Sequence, residues 1–139
     1  MILEKIKDLY SCSEINQEQL FPLQKWFNEV INKNYDELNL CDVLKMLRQK
    51  MFLELAVKKA INFLLDDPFV GELYEGQLFE TLTELEYNFH TEDIARLKEI
   101  VSHAKSLTNY HNWTYESESD EFLRIVYKMN MKLHHYSQV

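Results

Sequence analysis

Residues 40–85 read LCDVLKMLRQKMFLELAVKKAINFLLDDPFVGELYEGQLFETLTEL, and this stretch decides the fold. On both sides of the segment DDPFVGELYEG, apolar residues recur three and four positions apart, which is the period of an amphipathic helix. The segment holds both glycines of the chain, Gly71 and Gly76, and one of its two prolines, Pro68. The stretch therefore predicts two helices, a break and a third helix, with special backbone geometry confined to residues 67–76.

The same helical period extends outward to both ends of the chain. In residues 1–10, the apolar side chains share one helical face: Ile2, Leu3, Ile6, Leu9 and Tyr10. Further helices are expected from Pro22, from Leu40 with Asn39 as N-cap, after a cap at Thr91 and after Ser117. The pattern leaves open whether the chain stays helical through residues 50–52. The chain has only two glycines and two prolines, too few for the many tight turns of an all-β domain. The sequence therefore predicts an all-α fold of six or seven helices in one compact domain, residues 1–139.

The charge is acidic and unevenly distributed. The net charge is −8, and residues 51–100 alone carry 11 acidic and 4 basic side chains. Such a balance argues against nucleic acid and anionic membranes as partners, because both select basic surfaces. Seven acids and no Lys or Arg occur from Asp66 to Glu86. We interpret this run as a candidate surface for a basic protein partner.

The cysteines and the N-terminus indicate a cytoplasmic protein. Cys12 and Cys41 have no metal-ligand spacing and are expected to be thiols in a reducing compartment. Charged residues interrupt the first ten positions, so no signal peptide is predicted. No apolar run reaches the length of a membrane span.

Motifs for catalysis or cofactor binding are not found in the sequence. It contains no phosphate-binding loop, dinucleotide fingerprint, nucleophile elbow or zinc-binding helix, so no cofactor, metal, catalytic residue or small-molecule substrate is predicted. Adjacent His134 and His135 point about 100° apart on a helix and are interpreted as a solvated helix end. Glu80 and Glu84 share a helix face and are the best candidates for a small hydrolase, but an exposed face is the expected arrangement.

Aromatic and apolar side chains in the loops are expected to pack inward. Phe69, Leu73 and Tyr74 in the break are predicted to be buried, as loop aromatics usually are. Trp113 and Tyr115, in the later loop of residues 107–115, are the better candidates for exposed interface anchors, although burial is the commoner arrangement.

The central stretch resembles a known family, the helical immunity proteins of contact-dependent growth inhibition systems. The resemblance covers residues 38–86 and rests on Leu47-Arg48-Gln49, Phe52-Leu53, Ala60-Ile61, Leu64, Asp67-Pro68-Phe69-x-Gly71-Glu72-Leu73-Tyr74-x-Gly76-x-Leu78 and Leu82. Where the family pattern has Asp before the second glycine and Glu after it, this chain has Glu75 and Gln77.

The resemblance implies a cytoplasmic protein that binds and blocks the toxic C-terminal domain of a large secreted adhesin. Many such toxins are nucleases. A motif shared by proteins that face different toxins is expected to be a fold element, and the motif residues are interpreted as structural: Arg48, Gln49, Pro68, Gly71, Tyr74 and Gly76.

The sequence therefore predicts an immunity protein without enzymatic activity. The candidate toxin-binding residues are the acids beside the break and the residues of the later loop: Asp66, Asp67, Glu72, Glu80, Glu84, Trp113, Tyr115, Glu116 and Glu118. Three alternatives remain open: a helical adaptor for another protein, a small hydrolase using Glu80 and Glu84, and a DNA-binding helix-turn-helix protein, which the charge disfavours.

Overall fold

The computed structural model describes residues 4–137, with side chains through His135. The elements are α1 (Ile6–Leu9), α2 (Pro22–Val30), a 3-10 turn (Tyr35–Glu37), α3 (Leu40–Gln49), α4 (Leu53–Asp66), α5 (Gln77–Glu84), α6 (Thr91–Thr108) and α7 (Glu116–Ser137). Extended pairing in this part of the chain is limited to one isolated bridge, between Lys5 and Asn34. The prediction of an all-α fold with six or seven helices is confirmed, since residues 4–137 contain seven. Ile2 and Leu3, assigned above to the first helix, lie outside the described residues.

The chain divides into two compact units, Met1–Lys59 and Ala60–Val139, and their boundary falls within α4. The prediction of one domain is not tested by this division and stays a prediction. Among residues 4–137, no helix is long and apolar enough to cross a membrane.

The first unit is organised around a buried carboxylate, Asp42. Asn39 caps α3 as predicted, because its Oδ1 accepts a hydrogen bond from the Asp42 N–H at 2.8 Å. The Asp42 carboxylate in turn accepts hydrogen bonds from Trp26 Nε1 at 3.0 Å and from Lys33 Nζ at 2.7 Å. A buried carboxylate is stable only when it is paired in this way, so Asp42 joins α2, the segment after it and α3.

The junction between α3 and α4 answers the question that the sequence left open. The helix stops, because Lys50 has φ +55° and Phe52 has φ +51°. The Phe52 ring packs against Tyr10 and Phe27, with centroid distances of 4.7 and 6.2 Å. The prediction that special backbone geometry is confined to residues 67–76 was therefore wrong, since side-chain-bearing residues adopt left-handed geometry here without any glycine to signal it.

In the second unit, α7 packs against both α5 and α6. The helix starts differ from those predicted by one residue in α6, where His90 is the N-cap in place of Thr91, and by two in α7, which begins at Glu116 and not after Ser117. At the C-terminal end of α5, Lys132 Nζ donates hydrogen bonds to the carbonyl oxygens of Thr83 at 2.7 Å and Leu85 at 2.6 Å. A lysine on α7 thus satisfies carbonyls that the end of α5 leaves without helical partners.

Candidate functional site

The break loop, residues 67–76, closes on itself through its backbone. The Gly76 N–H donates to the Phe69 carbonyl at 2.7 Å, and the Leu78 N–H donates to the Val70 carbonyl at 3.2 Å. Pro68 follows the end of α4, as predicted from its effect on the preceding residue. The loop is therefore a compact turn between α4 and α5.

A buried amide holds the centre of the break loop. Gln77 is almost inaccessible to solvent. Its Oε1 accepts hydrogen bonds from the backbone N–H groups of Glu72 at 2.7 Å and Leu73 at 2.9 Å. Two donors that would otherwise lack a partner are thereby satisfied, which fixes the path of residues 72 and 73.

Both glycines have structural reasons, and the two reasons differ. Gly76 has φ +85°, and a Cβ on it would lie 2.7 Å from Cδ1 of Phe122. Gly71 does not have a positive φ; a Cβ there would overlap the carbonyl oxygen of Tyr74. Gly71 is therefore required for space and not for a left-handed backbone.

An aromatic cluster joins the break loop to the late loop, residues 109–115. The Phe69 ring stacks on His111 with a centroid distance of 4.1 Å and meets the edge of Trp113 at 5.2 Å. Phe122 of α7 completes the cluster, 5.0 Å from Phe69 and 5.5 Å from Trp113. Such contacts between rings add to the stabilisation from burial, so the two loops pack together at this point.

Polar contacts reinforce the junction and the late loop. Nε2 of His111 lies 2.8 Å from Oε2 of Glu75, which links the loops at their edge. Trp113 Nε1 donates to the Thr108 carbonyl at 3.0 Å, at the end of α6. At the start of α7, Glu118 Oε1 accepts from the Tyr115 N–H at 2.7 Å. Glu118, a candidate for toxin binding, is therefore already engaged in holding the late loop.

Large apolar side chains project outward from both loops. Leu73 is 76% exposed, Tyr110 86% and Tyr115 69%. The prediction that Leu73 and Tyr74 are buried was wrong, since Tyr74 is also exposed, whereas Phe69 is buried as predicted. Trp113 is half-buried, and its ring is occupied by the cluster. The reason for this exposure is local, because residues 72–75 project away from the turn that Gln77 closes.

The loops and the adjoining helix ends also carry exposed acids. Five acids of the two loops and their flanking helix ends are exposed: Asp66, Asp67, Glu72, Glu75 and Glu116. Asp67 also accepts the Phe69 N–H at 2.9 Å, so it contributes to the turn. We define the two-loop surface as residues Glu72 to Glu75 of the break loop with Tyr110, Tyr115 and Glu116. The Phe69–His111 stacking and the Glu75–His111 contact join the two loops, which the sequence suggested as separate candidate surfaces.

The acids of α5 do not continue this surface as an uninterrupted acidic face. Glu80 is half-buried, accepts the Tyr74 hydroxyl at 3.0 Å, and lines a depression with Arg124 and Lys128 of α7. Glu84 is exposed and lines a different depression with Lys128 and Lys132. The run of seven acids without a base in the sequence does not form an all-acidic surface, because the fold places cations of α7 beside two of the acids.

A sequence model of the family described as CDI immunity proteins, where CDI denotes contact-dependent growth inhibition, matches residues 8–100. The chain belongs to this family. No curated protein matches the chain in sequence. The match covers about two thirds of the chain and includes the break loop, α5 and most of α6, but not the late loop or α7.

The motif residues of this immunity protein occupy different kinds of position. Arg48 and Gln49 are exposed at the end of α3, and Pro68 is buried after α4. Gln77, which stands where the family pattern has Glu, still supplies the acceptor oxygen that the break loop requires. Within residues 4–137, no three His, Cys, Asp or Glu side chains are grouped so that they could hold a metal ion.

Sequence reasoning missed Glu75 and His111 as members of the site. They are 36 positions apart, and neither has a spacing that suggests a partner. Tyr110, which is 86% exposed, was likewise passed over as part of a polar and aromatic loop. The sequence signal for Tyr110 and His111 was the concentration of aromatic residues in the late loop, which indicates interfaces only weakly.

Proposed function

We propose that this immunity protein binds the C-terminal toxin domain of its cognate adhesin in the cytoplasm through the two-loop surface, and that it neutralises the toxin by covering its active site. The observation that carries the proposal is the exposure of Leu73, Tyr110 and Tyr115 beside exposed acids, on loops that the aromatic cluster holds in place. Exposed aromatic side chains are typical anchors at the centre of protein interfaces.

The rigidity of the surface favours tight binding. Gln77, the cluster and the Glu75–His111 contact order the loops before a partner arrives. Little conformational entropy is then lost on association, which leaves more of the contact energy as affinity.

The charge of the surface favours a basic active site in the toxin. A nuclease presents Lys and Arg to the phosphates of its substrate, and Glu72, Glu75 and Glu116 would occupy the positions of those phosphates. Opposite charges of this kind mainly accelerate association, and salt screens them over about 8–10 Å. We therefore propose a nuclease as the cognate toxin.

The experiment measures binding kinetics against the purified cognate toxin domain together with growth protection in cells that express it. Tyr110→Ala and Tyr115→Ala should accelerate dissociation, while Glu72→Lys should slow association and reduce its dependence on salt. Each anchor truncation is expected to cost about 1–3 kcal/mol of binding free energy. Glu99→Lys is the matched control, because Glu99 is also exposed but lies in the middle of α6.

Three outcomes separate the parts of the proposal. If Glu99→Lys impairs binding as much as Glu72→Lys, the effect is one of net charge and the two-loop surface is not the contact. If Glu80→Lys with Glu84→Lys alone abolishes protection, the contact lies on α5 instead. If the complex forms but the toxin still binds and cleaves its nucleic acid, active-site coverage is wrong although the partner is right.

A further inference from the structure

The outer side of α7 carries an apolar ridge that the second unit leaves exposed. Tyr127 is 64% exposed and Met131 is 70% exposed, while Leu123 is half-buried. The three are spaced four residues apart and therefore lie along one side of the helix. Together with Asp120, Arg124 and Lys128 they line an open depression of about 440 Å³.

The charges of α7 are divided between its two halves. Residues 116–121 contain four acids and no base, whereas residues 122–137 contain three Lys and Arg residues and no acid. The helix dipole favours this order, and it also makes the helix self-complementary. An antiparallel copy of α7 would bring the acidic start of each helix toward the part of the other in which Arg124 and Lys128 are exposed.

We propose that this face of α7 is the contact between two copies of the chain in a symmetric dimer. A two-fold axis midway between Leu123 and Tyr127 sets Leu123 of one copy opposite Tyr127 of the other. The same axis brings Glu121 of each copy to within one residue, about 1.5 Å along the helix, of the level of Lys128 of the other, on one flank of the ridge. Both pairs occur twice, as an isologous interface requires.

The neighbouring side chains fit this arrangement. Lys105 of α6 lies 5.5 Å from the centroid of the Tyr127 ring and supports the ring from within its own chain. Near the axis, Arg124 of one copy approaches Arg124 of the other. Glu80 lines the same depression as Arg124 and offsets these like charges. The dimer face begins at Asp120 and does not use the exposed residues of the two-loop surface.

Sedimentation velocity tests the proposal by measuring the mass of the protein in solution. The protein concentration is varied from about 1 to 300 μM, the range in which a modest interface associates. The wild type is expected to move from 16.8 kDa toward twice that mass. Tyr127→Lys should remain a monomer, and circular dichroism should show that it keeps its helical content. Lys25→Glu, on the exposed side of α2, should dimerise as the wild type does.

A charge exchange tests the register. Glu121→Lys and Lys128→Glu should each weaken dimerisation at least about tenfold, because each puts two like-charged pairs across the interface. Combining them restores opposite charges and should restore the dimer. A wild type that stays monomeric overturns the proposal, and so does a dimer that Tyr127→Lys leaves intact. A double variant no tighter than either single variant overturns the proposed register.

Discussion

His111 and Glu75 lie 36 residues apart in the chain, and their side-chain atoms Nε2 and Oε2 are separated by 2.8 Å. The contact joins the late loop to the break loop at the edge of the aromatic cluster, where the His111 ring also stacks on Phe69. It therefore couples the two parts of the two-loop surface.

Removing this contact should change the loops more than the overall stability. The pair is partly exposed, so Glu75→Ala is expected to lower the free energy of unfolding by less than about 1 kcal/mol. Amide hydrogen exchange in residues 109–115 should nevertheless accelerate, because the late loop loses one of its attachments. Glu99→Ala is the control and should leave that exchange unchanged. Equal exchange in wild type and Glu75→Ala would show that the cluster alone holds the loop.

Gly76→Val should destabilise the protein by more than about 1 kcal/mol. The substitution introduces a β-branched side chain at φ +85° and directs its Cβ into the Phe122 ring. Urea unfolding followed by circular dichroism measures the change. Gly76→Asn is the informative comparison, because asparagine tolerates left-handed geometry but still carries a Cβ. If Asn costs as much as Val, the clash with Phe122 dominates; if both are neutral, the loop does not require glycine.

Lys50→Gly should stabilise the protein by about 0.5–1 kcal/mol. Lys50 ends α3 with φ +55°, a position that glycine occupies without the steric penalty of a Cβ, and its side chain is exposed. Lys50→Ala is the matched control, since it removes the lysine side chain but keeps the Cβ. A thermal unfolding midpoint that rises for Gly and not for Ala supports the backbone origin. A midpoint that falls for Gly would mean that the entropy lost by glycine outweighs the relief of strain.

Lys132 should make stability depend on pH in the alkaline range. Burial lowers the pKa of its ammonium group below the usual 10.5, and the neighbouring Lys128 acts in the same direction while Glu86 opposes it. The unfolded state therefore holds the proton more tightly, and the cost of burying the charge is relieved as pH rises from the folded pKa to the unfolded one. As pH rises through that window, the free energy of unfolding of the wild type should increase relative to that of Lys132→Met. Urea unfolding of both proteins at pH values on either side of the window tests the sign, and a shift toward Lys132→Met would contradict it.

The sequence by itself determined the elements that depend on neighbouring residues. Helical periodicity, the Asn39 cap and the stop at Pro68 all act within four or five positions, so α2 to α5 could be placed with only small shifts in their ends. The need for glycine at Gly76 was also readable, because it reflects local backbone geometry. Family membership followed from the same stretch, as the match over residues 8–100 bears out.

The tertiary structure decided which of these elements meet. It paired Glu75 with His111 and set Arg124 and Lys128 beside Glu80. No local pattern encodes such contacts, because they join residues 36 or more positions apart and depend on how α7 packs on α5 and α6. Charge in the sequence is one-dimensional, whereas the field at a surface sums every charge that the fold brings near. An acidic run became a mixed face for that reason.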